Sequence, residues 1–217
     1  ADEAITVYDD VLARFGAATE LDIRESVAMA LFNKGVALGS SGRSDEAIAT
    51  YDEVANRFAS ETEPAIREQV AKALVNKGRA LLTLGRNDEA IASPDHVVAR
   101  FGAATETGIR RQVAMALANK GVVLGKCGRP DEAIATYDDV VARFAAAAEP
   151  VIREQVAMAL VNKAITLREL GRPEEALAVL EDCIARYGGS SDPSTEKHIE
   201  RARTLLARLR AKPKRKR

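Results

Sequence analysis

The chain has 217 residues, of which 47% are apolar and only 4% aromatic, with no Trp. Its 32 basic and 32 acidic side chains balance, so the overall charge indicates neither a nucleic-acid nor a membrane partner. No apolar run approaches the roughly 20 residues that span a bilayer, and the N-terminus lacks the basic and apolar segments of a signal peptide. We therefore expect a cytoplasmic protein without membrane contact. Because the apolar residues include so few aromatic ones, we also expect a core of closely packed helices.

A strict internal repeat organises the chain. The string Glu-Ala-Ile or Glu-Ala-Leu returns every 43 residues, at Glu3, Glu46, Glu89, Glu132 and Glu175. An Arg followed by an aromatic residue returns with the same step, at Arg14, Arg57, Arg100, Arg143 and Arg186. A second block, Asn-Lys followed by Gly or Ala, starts at Asn33, Asn76, Asn119 and Asn162. Such spacing predicts an array of stacked supersecondary units.

Each unit is predicted to contain two helices. The chain opens with a shorter helix, and later shorter helices run from Ser44, Asn87, Pro130 and Pro173 to the Arg-aromatic pair. Longer helices begin near Pro64 and Pro150, because Pro suits a first helical turn, and the turn glycines Gly42, Gly85, Gly128 and Gly171 terminate the longer helices. One further helix, at about 194–211, follows Pro193. The expected number is ten.

The block "NKGVALGSSGRSDEAIATYDEV" resembles the tetratricopeptide repeat, and the resemblance covers residues 2 to about 188. The 43-residue period departs from the 34 residues usual in that family. Leu31, Leu74, Leu117 and Leu160 stand where the family has its leading aromatic residue. The resemblance implies an all-α, right-handed α-solenoid of stacked antiparallel helix pairs, with a concave groove lined by the longer helices. Armadillo-like or HEAT-like arrays, the alternatives at this period, are also α-solenoids.

The predicted domain organisation has three parts: a repeat array over 1–192, a capping helix over 193–211 and a disordered basic tail over 212–217. The first shorter helix lacks a longer partner in the array. We therefore expect either that the chain is cut from a longer array or that another chain covers this face, so that the protein forms a homo-oligomer.

The predicted partner-binding residues lie on the longer helices, opposite their apolar stripe: Asn33, Lys72, Asn76, Arg79, Asn119, Asn162 and Arg168. A row of Asn amides can hold an extended peptide backbone, because each amide offers a donor and an acceptor. Alternatively, each Asn bonds to an adjacent helix and orients the stack. Met29, Met115 and Met158 replace a lysine of the family's carboxylate clamp, so a clamp is disfavoured and a partly apolar ligand is favoured.

Two departures from the apolar pattern carry further hypotheses. Lys77 falls inside the apolar stripe, so we expect it either to extend along the core or to pair with Glu46, Glu89, Asp52 or Asp95. Pro94 falls inside a shorter helix, where it either kinks the helix and alters the groove or is a tolerated defect.

An enzyme is the first competing class. His96 and His198 are the only histidines, neither sits in a recognisable constellation, and the carboxylates recur on solvated faces in every copy. Cys127 and Cys183 lie far apart without ligand spacing. We therefore predict no catalytic residue, no metal and no cofactor.

Nucleic-acid binding is the second competing class, because residues 201–217 hold nine basic side chains and no acid. The tail residues that would bind are Arg208, Arg210, Lys212, Lys214, Arg215, Lys216 and Arg217. No aromatic residue is interleaved to stack on bases, and the other 200 residues carry a net charge of −9 (23 basic and 32 acidic groups), which repels a polyanion. The favoured function is therefore a non-catalytic scaffold that presents a groove to a protein or peptide. Binding of nucleic acid or an acidic partner by the tail, or self-association, is the alternative.

Overall fold

The computed structural model describes residues 2–211, which form ten α-helices and no β-strand. The shorter helices are α1 (Asp2–Phe15), α3 (Ser44–Arg57), α5 (Asn87–Phe101), α7 (Pro130–Phe144) and α9 (Pro173–Tyr187). The longer helices are α2 (Leu21–Ser40), α4 (Pro64–Thr83), α6 (Thr107–Lys126) and α8 (Pro150–Glu169), and α10 (Pro193–Arg210) follows them. The all-α fold and the number of helices predicted from the repeat are confirmed.

The chain forms two compact units, residues 1–116 and 117–217, with the boundary inside α6. In unit 1, α2 packs against α1, α3 and α4, and α4 also packs against α3 and α5. In unit 2, α8 packs against α7, α9 and α10, and α9 packs against α10. Both α3 and α9 therefore pack against the helix before and the helix after them, as stacked helix pairs require.

The core of each unit consists of aliphatic side chains on the inward stripes of these helices. In unit 1, Leu31, Val54, Ile66 and Val70 are fully buried. In unit 2, the same is true of Val140, Ile152, Val156, Leu180 and Ile199. Because these side chains are small and the aromatic residues are few, the helices approach closely.

The turn from each longer helix into the next shorter one repeats one geometry. Gly42, Gly85, Gly128 and Gly171 have φ of 78, 72, 72 and 75°. In this left-handed conformation the following backbone N–H turns back to the helix, as in Arg43, which donates to the Leu38 carbonyl at 3.0 Å. This is the Schellman arrangement, in which glycine avoids the strain that a Cβ would cause. The predicted role of these glycines is confirmed.

An Arg-Glu fork fixes the start of each of these shorter helices. Nε and a terminal nitrogen of Arg43 donate to both carboxylate oxygens of Glu46, each at 2.6 Å. The same fork joins Arg86 to Glu89, Arg129 to Glu132 and Arg172 to Glu175. The hydrogen bonds hold the pKa of these glutamates below its usual value. Although such exposed pairs contribute little stability singly, the fork places the acid in the first turn, which favours negative charge.

A close contact between a longer and a shorter helix is made by glycine and an aromatic ring. A Cβ on Gly35 would lie 2.5 Å from the Tyr51 ring, and one on Gly121 would lie 2.4 Å from the Tyr137 ring. In the intervening copy Pro94 replaces the tyrosine, and a Cβ on Gly78 would meet Ser93 at 3.4 Å, an ordinary contact. Glycine is therefore sterically required only where a tyrosine faces it.

Helix α5 continues through Pro94, which is buried, from Asn87 to Phe101. Proline has no backbone N–H, so one hydrogen bond of the helix is absent at this turn. No break in the helix accompanies the substitution. Both interpretations of Pro94, a kink in α5 and a tolerated defect, stay predictions.

The C-terminal helix is capped and anchored. The Asp192 side chain accepts from the Thr195 backbone N–H at 2.8 Å, and Arg210 pairs with Glu181 of α9 at 2.7 Å. Arg203 donates to the Gly188 carbonyl at 3.1 Å. The division into a 1–192 array and a 193–211 cap stays a prediction. The tail residues Lys212, Lys214, Arg215, Lys216 and Arg217 lie outside the described residues.

Alanine at two equivalent glycines should have opposite effects. Gly35→Ala should lower the free energy of unfolding by about 1–3 kcal/mol, because the added Cβ would overlap the buried Tyr51 ring. Gly78→Ala should be neutral or stabilise by up to about 1 kcal/mol, because it only improves helix propensity. Thermal and urea denaturation followed by circular dichroism would measure both. Equal destabilisation by the two variants would contradict the assignment of the tyrosine as the cause.

Replacing Pro94 should stabilise the chain. Pro94→Ala restores the backbone donor and should raise the free energy of unfolding by as much as about 3 kcal/mol. Pro94→Tyr should raise it further, since Gly78 leaves room for the ring. Pro130→Ala, at the first position of α7, is the matched control and should change stability by less than about 1 kcal/mol. A fall in stability for Pro94→Ala would show that the proline serves the fold.

Candidate functional site

The predicted partner-binding residues lie on the longer helices, as expected, and the structure places them in two units. Asn33 on α2 and Asn76 on α4 belong to unit 1, where these two helices pack together. Asn119 on α6 and Asn162 on α8 belong to unit 2. All four side chains are half-buried. Each unit thus carries two of the four amides.

None of these four side-chain amides makes a hydrogen bond with any residue in 2–211. The alternative that each Asn bonds to an adjacent helix and orients the stack therefore has no supporting contact in this part of the chain. An amide without a protein partner can exchange its water contacts for those of a ligand backbone.

The predicted cations differ in their partners. Lys72 pairs with Glu68 on the same helix at 2.8 Å, and Arg168 lies 3.5 Å from Glu169. The Arg79 guanidinium is exposed and forms no ion pair or hydrogen bond with the described residues. Of the three, Arg79 is the one whose charge no acid within 2–211 compensates.

Asn76 and Arg79 lie in one open cleft of about 150 Å³ between α2, α3 and α4. Its lining residues are Val36, Gly39, Ser40, Ser44, Tyr51, Asn76, Arg79, Ala80 and Thr83. Burial raises the pKa of Tyr51, and the Arg79 charge opposes that rise because it lies near the phenol. Sequence reasoning missed Ser44 and Tyr51, which come from the shorter helix. Only the packing of three helices brings them beside Asn76.

The recurrent lysines pair with an acid of the preceding shorter helix. Lys77 lies 2.6 Å from Asp52, Lys34 lies 2.6 Å from Asp9, and Lys163 pairs with Asp138. Each pair joins residues 25 positions apart. The predicted pairing of Lys77 with an acid is confirmed, which gives this lysine a structural role.

An apolar patch occupies the start of unit 1. Val7 is 60% exposed, Phe15 47% and Leu21 45%, whereas Phe58, the counterpart of Phe15 in the next copy, is only 2% exposed. Beside them, an open cleft of about 370 Å³ is lined by Val11, Phe15, Asp22, Ile23, Ser26 and Val27. The predicted self-association surface is therefore exposed and apolar.

The residues that could ligate a metal are dispersed in the part of the chain that the structure describes. Within 2–211 no cluster of His, Cys, Asp and Glu could hold a metal ion, and none of the described helices combines the length and apolarity that a bilayer span needs. Burial raises the pKa of the Cys183 thiol to about 12 and lowers the pKa of His198. The Cys183 thiol is therefore protonated at neutral pH and a poor nucleophile.

Comparison with known proteins adds the family. Models of the tetratricopeptide repeat match residues 1–64, 71–93 and 112–188. Among solved structures, an engineered protein is 19% identical with a TM-score of 0.48, and the match covers 94% of this protein and 80% of the engineered one. A thermophilic TPR protein in Thermus thermophilus is 17% identical with a TM-score of 0.32, and that match covers 83% and 99% of the two proteins respectively. None of the curated proteins compared with this sequence matches it.

The family matches cover both units and fall on the same helix pairs that the internal repeat marks out. Tetratricopeptide repeats generally mediate contacts between proteins. The chain belongs to the tetratricopeptide repeat family.

Proposed function

We propose that the chain is a non-catalytic scaffold that holds an extended segment of a partner protein against its longer helices. The observation that carries the proposal is the set of amides at Asn33, Asn76, Asn119 and Asn162, which have no partner within the described residues. Packed helices lie about 8–10 Å apart, and an extended strand advances about 3.3 Å per residue. Amides on α2 and α4 would therefore meet backbone groups about three residues apart in the partner.

The side chains that flank the amides support a partner of mixed character. On α2, Asn33 lies between Met29, which is 50% exposed, and the half-buried Val36. On α8, Asn162 lies between Met158 and Ile165, both half-buried. On α4 the corresponding residues are Lys72 and Arg79. In unit 1, apolar side chains of a partner would contact α2, while α4 would favour polar or acidic ones. In unit 2, α8 would favour apolar ones.

The helical framework lowers the cost of binding. The contact residues lie on helices fixed by buried aliphatic cores, so the scaffold loses little conformational freedom when a ligand binds. The ordering cost falls mainly on the partner segment, which suits a segment that is extended before binding.

Self-association is a second candidate, favoured by the exposed side chains of Val7, Phe15 and Leu21. Binding through the basic tail has less support from the described residues. Arg210 pairs with Glu181, Arg208 is exposed on α10, and the remaining tail residues lie outside 2–211. The amide-bearing helices are therefore the favoured surface.

Removing the four amides should abolish binding without unfolding the protein. Alanine at Asn33, Asn76, Asn119 and Asn162 deletes hydrogen bonds that contribute about 0.5–1.5 kcal/mol each, so recovery of a specific partner should fall at least about tenfold. Quantitative affinity capture from source lysate would compare this variant with the original protein, after both are shown to have equal helicity and melting temperature.

The matched control is Asn56→Ala, which removes an exposed amide from the shorter helix α3. It should leave recovery unchanged. Equal recovery of the partner by the original protein and the four-alanine variant would contradict the proposal. It would favour binding through the apolar patch or the tail.

A further inference from the structure

The cleft between α2, α3 and α4 gathers four polar groups that lack a partner among the described side chains. They are the Arg79 guanidinium, the Asn76 amide, the Tyr51 hydroxyl and the Ser44 hydroxyl, and the residues that carry them all line the same space. Ser44 is 6% exposed and Tyr51 is 2% exposed. Two further lining hydroxyls are already used, since Ser40 donates to the Val36 carbonyl and Thr83 to the Arg79 carbonyl.

This combination occurs only once among the positions that the repeat makes equivalent. In unit 2 the residues 86 positions later keep Tyr137 and Asn162 but replace the other two groups. Ile165 stands in place of Arg79, and Pro130 in place of Ser44. Glu169 also replaces Thr83 and would repel an anion. A feature that departs from the repeat while the fold is kept is the kind that function, rather than packing, explains.

We propose that this cleft binds the side-chain carboxylate of an Asp or Glu within the partner segment. The proposal deepens the scaffold function and rests on it. The guanidinium can form paired hydrogen bonds with a carboxylate, and the amide and both hydroxyls can donate to the same two oxygens. The paired bonds from the guanidinium, with one each from the amide and one hydroxyl, already fill the roughly four acceptor positions that a carboxylate offers.

The single positive charge of the cleft favours a carboxylate over a phosphate. Arg79 supplies one positive charge, which balances a carboxylate but leaves a phosphate, with its charge of about −1.5 to −2, undercompensated. Lys72 adds no further free cation because it pairs with Glu68. The site is also distinct from a clamp for a terminal carboxylate, since two of its four groups come from the shorter helix α3.

The test uses a random twelve-residue peptide library displayed on phage, with the C-terminal end of each peptide fused to the coat protein. This format removes the free terminal carboxylate, so only side-chain acids can be selected. The library is panned in parallel on the full-length protein, on Arg79→Ile, on Arg143→Ile and on the variant with alanine at the four Asn residues. Arg79→Ile copies the residue that α8 tolerates at this position, and Arg143→Ile is a control that removes an equal charge from an exposed position on the shorter helix α7.

We expect the full-length protein and Arg143→Ile to select peptides with an acid at one fixed position, and Arg79→Ile to lose that preference. A selected peptide should lose about tenfold or more in affinity for the full-length protein when its acid is changed to the amide, because hydrogen bonds to charged groups are strong. The same change should have little effect on Arg79→Ile, which would establish the coupling. Arg79→Lys should show an intermediate loss.

Two results would overturn the inference in distinguishable ways. Peptides that bind the full-length protein but carry no fixed acid, or whose acid is equally important on Arg79→Ile, would refute the carboxylate site and leave the scaffold function standing. Selection of no peptide that depends on the four Asn amides would refute the scaffold function together with the site.

Discussion

The close approach of a longer helix to the shorter helix that follows it is the constraint on which the rest of the structure depends. At Gly35 and Gly121 the tyrosine ring occupies the space of a missing Cβ. This contact fixes which stripe of α2 and α6 faces inward, because the ring admits glycine but not a larger side chain. With that stripe in the core, Asn33 on α2 and Asn119 on α6 are placed away from it, half-buried and without a hydrogen-bond partner within 2–211. The proposed binding surface on these two helices is thus a consequence of the packing contact.

Repetition makes it possible to separate structural from functional residues within a single protein. The turn glycines, the Arg-Glu forks and the lysine-aspartate pairs recur because successive copies need the same turn, the same helix start and the same contact between helices. Pro94 and Arg79 each occur once. Pro94 lies in a buried position opposite Gly78 and removes a hydrogen bond, so it weakens the array locally without adding a chemical group. Arg79 adds a cation beside polar side chains. A departure from the repeat therefore changes stability when it lies in the core, as at Pro94, and changes the chemistry of the surface when it is exposed, as at Arg79.

Much of the fold could be predicted from the sequence because the residues that begin and end helices recur in successive copies of the repeat. Gly42 and its counterparts ended the longer helices where expected, and Pro64 and Pro150 began two of them. The pairing of Lys77 was predicted as well, although its partner was one of four acids. The cleft around Asn76 could not be predicted, because Tyr51 and Ser44 reach it from a different helix and nothing in their spacing indicates that. Nor could sequence separate Arg79 from Lys72 and Arg168, since only the geometry shows which cation is paired.

An energetic argument connects these observations. A half-buried polar group that lacks a protein partner keeps its hydrogen bonds only through water, and it gains when a ligand replaces that water with well-placed acceptors. In most proteins such a gain is offset by the loss of flexibility in the loops that carry the groups. Here the groups lie on helices held by buried aliphatic side chains, so little is lost on the scaffold's side. Affinity should then depend on how many amides and cations a partner segment satisfies at once. A repeated amide, together with one arginine on the proposed surface that has no acid partner within 2–211, suits a partner that is extended, largely sequence-tolerant, and acidic at one position.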